Sequence, residues 1–183
     1  MKKWFLLPVI FLVMGAVCST VLARPIGVGA FAGFNIPIAQ DDAGSGSLLG
    51  TRLRIAIAPF LAVEPSLAFF QQGDVSTQVA DKEEDLDGGR STALGVNLIV
   101  GSMGPPDGVR IYGVIGLASH AMKQEGREDE SRLAINLGPG LEIGVAKKLT
   151  LNVEHRLHMI SLEGGGARKN LGLSVGLIYN LHN

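Results

Sequence analysis

LTLNVEHRLHMIS, residues 149–161, decides how this chain folds. Leu149, Leu151, Val153, Leu157 and Met159 fall on one parity. Thr150, Asn152, Glu154, Arg156 and His158 fall on the other. A strand sends successive side chains to opposite faces, so this segment has one apolar face and one charged face. A soluble sheet can carry such a face. Repeated around a closed barrel, the same pattern places lipid outside and a polar lumen inside.

Outward from this stretch the alternation recurs. Strands are expected over 26–37, 47–58, 60–71, 91–101, 109–122, 131–145, 149–162 and 170–181. Most exceed the usual strand of a soluble sheet and suit a tilted strand that crosses a bilayer. The connections alternate in length. Pro59, SMGPPDG and AKK are short, whereas IAQDDAGSG, QGDVSTQVADKEEDLDGGR, KQEGREDE and EGGGARK are long and polar. Short turns at one end and long loops at the other match the periplasmic and extracellular rims of outer-membrane barrels. The pattern predicts an all-β fold, an eight-stranded antiparallel up-and-down transmembrane β-barrel, with both termini on the short-turn side.

Parity then sorts the side chains. Outward fall residues such as Val28, Phe34, Leu53, Val63, Leu98, Ile115, Leu137, Val153 and Leu173. Inward fall Arg52, Arg54, Glu64, Asn97, Arg110, Tyr112, His120, Arg132, Asn136, Glu142, Asn152, Glu154, Arg156 and His158, with many glycines among them. Almost no Arg or Glu is outward, where a charge at the bilayer midplane costs on the order of 2–4 kcal/mol. A barrel of this size is only wide enough to be filled by side chains. The expected lumen is therefore plugged by a polar network of Arg52, Arg54, Glu64, Arg110, Arg132, Glu142, Glu154, Arg156 and His158. Two features depart from the pattern. His155 lies on the lipid parity, and only seven aromatic residues are available after residue 23 to form the interfacial girdles.

The amino terminus reads as a signal peptide over residues 1–23, leaving a barrel domain over 24–183. Lys2 and Lys3 precede an apolar run from Trp4 to Val17, and Val21-Leu22-Ala23 offers a cleavage pattern. Val17 argues against lipidation of Cys18. Cleavage after Ala23 removes the only cysteine and the only tryptophan, so no thiol remains for a disulfide, metal or nucleophile. Beyond residue 23 no apolar run approaches the ~20 residues a spanning helix needs. Without Lys2 and Lys3 the chain keeps 14 basic against 17 acidic residues, about −3 overall, which argues against a nucleic-acid partner.

VGAFAGFNIP, FLAVEPSLAFFQ and GPGLEIGVAKKLTLNVEHRLHMISL together resemble the small eight-stranded outer-membrane barrel family that includes the opacity-type proteins. They correspond in order to its first strand, its third strand, and its sixth and seventh strands with the turn between them. His155 and Leu157 stand where that family usually places outward tyrosines. The resemblance implies a location in the cell outer membrane, contact with outer-membrane lipid and lipopolysaccharide, and insertion by the barrel-assembly machinery. It further implies a structural or surface-interaction role through extracellular loops, directed at an external ligand or host surface. Members commonly end in an aromatic residue, whereas this chain ends Tyr179-Asn-Leu-His-Asn.

Candidate sites are sparse. A lipid A-modifying hydrolase would need a close Ser–His pair. His158 and Ser161 lie on opposite faces of their strand, and His155 and Ser161 lie roughly 20 Å apart along it. Glu83, Asp85, Asp87 and Gly88 imitate the opening of a calcium loop, but Leu94 occupies the twelfth position where a bidentate Glu is needed. That loop is expected to be acidic, solvated and mobile, with at most a surface cation site bridging lipopolysaccharide phosphates. Gly27–Gly33 is followed by no helix that could bind phosphate, and Gly164–Gly166 reads as a loop tip. No cofactor, metal or catalytic residue is expected. The leading reading is a non-enzymatic membrane barrel. The alternatives are the hydrolase and a soluble lipocalin-like carrier, whose interior would be apolar.

Overall fold

A computed structural model describes residues 26–38, 44–73, 75–79, 82–86, 89–101, 108–123, 130–162 and 166–181. The signal peptide expected over 1–23, Cys18 and most of the Gly164–Gly166 tip lie outside these residues. Ten strands follow in chain order: β1 (Ile26–Ile38), β2 (Gly44–Ala58), β3 (Leu61–Gly73), β4 (Val75–Val79), β5 (Lys82–Leu86), β6 (Arg90–Gly101), β7 (Val109–Lys123), β8 (Glu130–Ala146), β9 (Leu149–Ser161) and β10 (Ala167–Asn180). Eight of them close into an antiparallel barrel in the order β1-β10-β9-β8-β7-β6-β3-β2. Closure leaves no sheet edge, the condition under which strands can cross a bilayer with every ladder occupied.

The barrel strands coincide with the expected ones to within a few residues at each end. The turns at one rim are tight. Pro59 and Phe60 join β2 to β3, and Lys147 and Lys148 join β8 to β9. The Leu181 amide donates to the Ile26 carbonyl at 2.7 Å, so both ends of the described chain meet at this rim.

One correction concerns the long connection between β3 and β6. Its composition predicts a mobile acidic loop, but it contains the two-stranded hairpin β4–β5, paired from Val75↔Leu86 to Val79↔Lys82. Only Val75, Val79 and Leu86 are apolar in VSTQV and KEEDL, too few in two five-residue segments to announce strands within a charged stretch. The calcium-loop imitation is dismantled on the same ground, because β5 takes up Glu83 and Asp85 and β6 takes up Leu94.

Side-chain direction follows parity without exception along β9. Thr150, Asn152, Glu154, Arg156, His158 and Ile160 are buried, and Val153 and His155 are exposed. The outer wall is largely aliphatic. Of the seven aromatic residues, Phe34, Phe60, Phe69 and Tyr179 face outward. Phe60 and Tyr179 sit near the short-turn rim and Phe34 and Phe69 toward the other, a thin girdle at each interface. Phe31, Phe70 and Tyr112 turn inward and are buried.

Candidate functional site

The lumen is stratified. Nearest the short turns, Ala62, Ile99, Tyr112 and Val114 form a buried apolar cluster. Toward the long-loop rim, Phe31, Leu48, Ala68, Phe70 and Ala93 form a second. Both are made of inward-parity residues on adjacent strands, the first on β3, β6 and β7 and the second on β1, β2, β3 and β6, so each packs one side of the bore.

The charges lie against both clusters, with the Arg110–Glu142 pair nearer the short-turn rim than Tyr112. Glu64, from the middle of β3 and 0% exposed, accepts from Arg54 through Nε at 2.9 Å and Nη2 at 2.5 Å. Its other oxygen accepts from Arg156 Nη2 at 2.7 Å. Glu154 takes Arg52 Nη1 at 2.5 Å, Arg156 Nη2 at 2.7 Å and the Tyr112 hydroxyl at 2.6 Å. Glu142 bridges Arg54 to Arg110, the latter at 2.7 Å. Asn152 accepts from Arg52 at 3.1 Å and donates to the Tyr112 hydroxyl. Arginines from β2, β7 and β9 thus meet carboxylates from β3, β8 and β9, and the network spans the bore. Four guanidinium groups face three carboxylates. Burying such ions costs several kcal/mol each unless pairing and hydrogen bonding are nearly complete, and here every carboxylate has at least two cationic partners.

Small residues make the room. A Cβ at Gly140 would overlap the Tyr112 ring, and one at Gly50 would overlap the Phe31 ring. With those glycines in place, Phe31 lies under the Arg52 guanidinium, 4.2 Å from its centroid, and Tyr112 lies 4.9 Å from that of Arg54. Each ring face presents negative potential to the cation above it.

His158 sits one layer nearer the long loops. Its Nδ1 meets Asn136 Oδ1 at 2.8 Å, and the Asn136 amide reaches Asn97 Oδ1 at 3.5 Å. Asn97 donates in turn to Ser66 Oγ and to the Glu64 carbonyl. This amide relay joins His158 to the ion network through backbone. Arg132, expected among the lumen charges, lies apart from that network. It pairs at 2.7 Å with Glu130 on its own strand, at the outer rim, where both side chains are partly exposed.

A Ser–His contact does form, but between members on different strands, so residue spacing gives no sign of it. Ser91 Oγ and His120 Nδ1 are 2.9 Å apart. Phe70 packs on His120 at 5.2 Å, and His120 Nε2 has no hydrogen-bond partner among the described residues. An activated serine needs its base held by a third group, and none of the described residues holds this imidazole. His158 is buried while Ser161 is exposed, so that pair is separated as parity requires. Among the described residues no three His, Cys, Asp or Glu side chains gather as a metal site.

A closed eight-stranded barrel with an aliphatic wall and a charged core narrows the family sharply. Residues 9–180 match the outer membrane protein beta-barrel domain family. The chain belongs to that family. This outer membrane barrel also superposes on solved structures of the same architecture. Neisserial surface protein A matches with a TM-score of 0.64 at 16% identity, covering 84% of this chain and 96% of that one. OprG of Pseudomonas aeruginosa matches with 0.53 at 16%, covering 88% and 97%. The attachment invasion locus protein Ail of Yersinia pestis matches with 0.54 at 12%, covering 87% and 100%. No curated protein matches this outer membrane barrel by sequence. Its location is the outer membrane, as the family and the shared fold establish.

Proposed function

We propose that this outer membrane barrel is a non-enzymatic structural or surface-interaction protein, closed to solute flow, whose contacts with partners are made by the long loops. The carrying observation is the buried ion network around Glu64 and Glu154, packed against two buried apolar clusters. A hydrated ion passing through would have to displace paired charges in a space from which water is largely excluded, where each unpaired charge is costly. The lumen is a packed core that stabilises the wall.

The loops carry a different chemistry. Thirteen of the seventeen acidic residues fall in the four long connections. Such a rim attracts cationic surfaces and divalent ions and repels phosphate-rich ones at distances within a Debye length. Loops on a rigid scaffold are the usual carriers of binding function, and one neighbour of the same fold is described as an attachment invasion locus protein.

Planar-bilayer recording of the purified, refolded chain tests the closed lumen. The expected result is a baseline without stable steps, and steady conductance in most insertions would overturn it. Lipid A mass profiles with and without expression are expected to be identical. A lost acyl chain would instead support the hydrolase reading.

A further inference from the structure

Midway along the lipid-facing wall, one titratable side chain stands among the described residues. His155 is six residues from either end of β9, at mid-depth, and its side chain is exposed. Beside it the β8–β9 ladder is interrupted. Pairing runs to Leu137↔Leu157 and resumes at Gly140↔Glu154, skipping Gly138 and Pro139. Pro139 has no N–H to donate, and the His155 carbonyl lies so close to Gly138 that a Cβ there would overlap it. On the far side of Pro139 its partner is Gly113, where a Cβ would meet only the Val100 carbonyl, at 3.9 Å. Across β7, β8 and β9 the wall at this level consists of a bare glycine, a proline ring and an imidazole, flanked by Val100 and Leu173.

A second gap provides the contrast. The β2–β3 ladder skips from Arg52↔Ser66 to Ile55↔Val63 around Pro65. There Leu53 and Val96 flank the proline on the outer face, and the wall remains aliphatic. Interrupted backbone at membrane depth is tolerated where protein covers it, and a polar side chain at that depth marks a functional contact. Acyl chains offer His155 neither donor nor acceptor, and lipid headgroups lie at the surface.

We infer that the Gly113–Pro139–His155 notch is a contact face for a second copy of this chain. A two-fold axis along the membrane normal brings His155 of each copy to the same depth. An imidazole ring offers both N–H and lone-pair nitrogen positions, so one ring can donate to the other. Small residues let the two walls approach, as they do for helices in membranes, and the interface is isologous. A different protein would have to present a polar group at the same depth by coincidence, whereas a second copy does so by symmetry.

Disulfide trapping in isolated outer membranes tests this with the full chain in a Cys18→Ser background. Val153→Cys lies beside His155 on the notch face, and Leu67→Cys lies at similar depth on the opposite wall. Mild oxidation is expected to yield a species of twice the monomer mass with Val153→Cys and little with Leu67→Cys. Adding His155→Leu to Val153→Cys is expected to cut the yield about tenfold, the loss of one membrane hydrogen bond. Heat-modifiable migration in SDS confirms that each variant is folded. Equal trapping at both positions, no dimer at either, an adduct of another mass, or a yield unchanged by His155→Leu would overturn the proposal.

Discussion

Glu64→Ala is expected to destabilise the folded barrel by about 3–5 kcal/mol, the cost of breaking a buried ion pair from one side. Glu64 is fully buried and holds Arg54 by two hydrogen bonds and Arg156 by a third. Removing the carboxylate leaves both guanidinium groups buried without that partner. Remaining carboxylates at Glu142 and Glu154 compensate in part, because Arg54 also reaches Glu142 and Arg156 also reaches Glu154. Equilibrium urea unfolding in micelles or bilayers measures the loss. Adding Arg54→Met to Glu64→Met is expected to recover part of it, since a matched apolar pair needs no compensation. Conductance is expected to stay absent in Glu64→Ala, because the other inward side chains, Arg52, Tyr112, Glu154 and Arg156 among them, stay in the bore. A change below about 1 kcal/mol, the scale of an exposed pair, would mean that the network contributes little to stability.

Gly140→Val is expected to cost about 2–4 kcal/mol through overpacking and lost hydrogen bonds to charged groups. A branched side chain at this position occupies the space of the Tyr112 ring. Tyr112 cannot move without releasing its bond to Glu154 and the one it accepts from Asn152. The second-site variant Tyr112→Ala opens that space. Coupling between Gly140→Val and Tyr112→Ala is therefore expected to be strongly non-additive, as for residues in direct contact. Additive losses would show that the two do not share a cavity wall.

Parity along the chain made the architecture legible, because a period of two repeated over eight long strands, joined by alternately short and long connections, suits a closed barrel in lipid. The wall to which Glu154 or His158 belongs was readable from LTLNVEHRLHMIS alone. Height was not readable. Arg52 meets Asn152, one hundred residues away, because barrel stagger sets which inward residues share a level, and stagger leaves no mark in alternation. For the same reason Arg132 could be assigned to the lumen side but not to the rim, where it meets Glu130. Ser91 and His120 face each other across β6 and β7 with nothing in their spacing to announce it. The apolar clusters were hidden too, since Phe31, Leu48 and Phe70 are ordinary apolar residues whose inward direction emerges only from their neighbours' parity. The β4–β5 hairpin escaped because its two five-residue strands carry only Val75, Val79 and Leu86 as apolar residues, too short a pattern to stand out in a charged stretch.

Lipid quenching of single tryptophans tests the central claim, that one parity meets lipid and the other fills a core. In a Trp4→Phe background, Leu157→Trp on the outer face of β9 is compared with Phe70→Trp inside the lumen, each refolded into bilayers of mid-chain brominated lipid. Strong quenching of the tryptophan at 157 and little at 70 is the predicted result. Equal quenching at the two positions, or quenching only at 70, would contradict it.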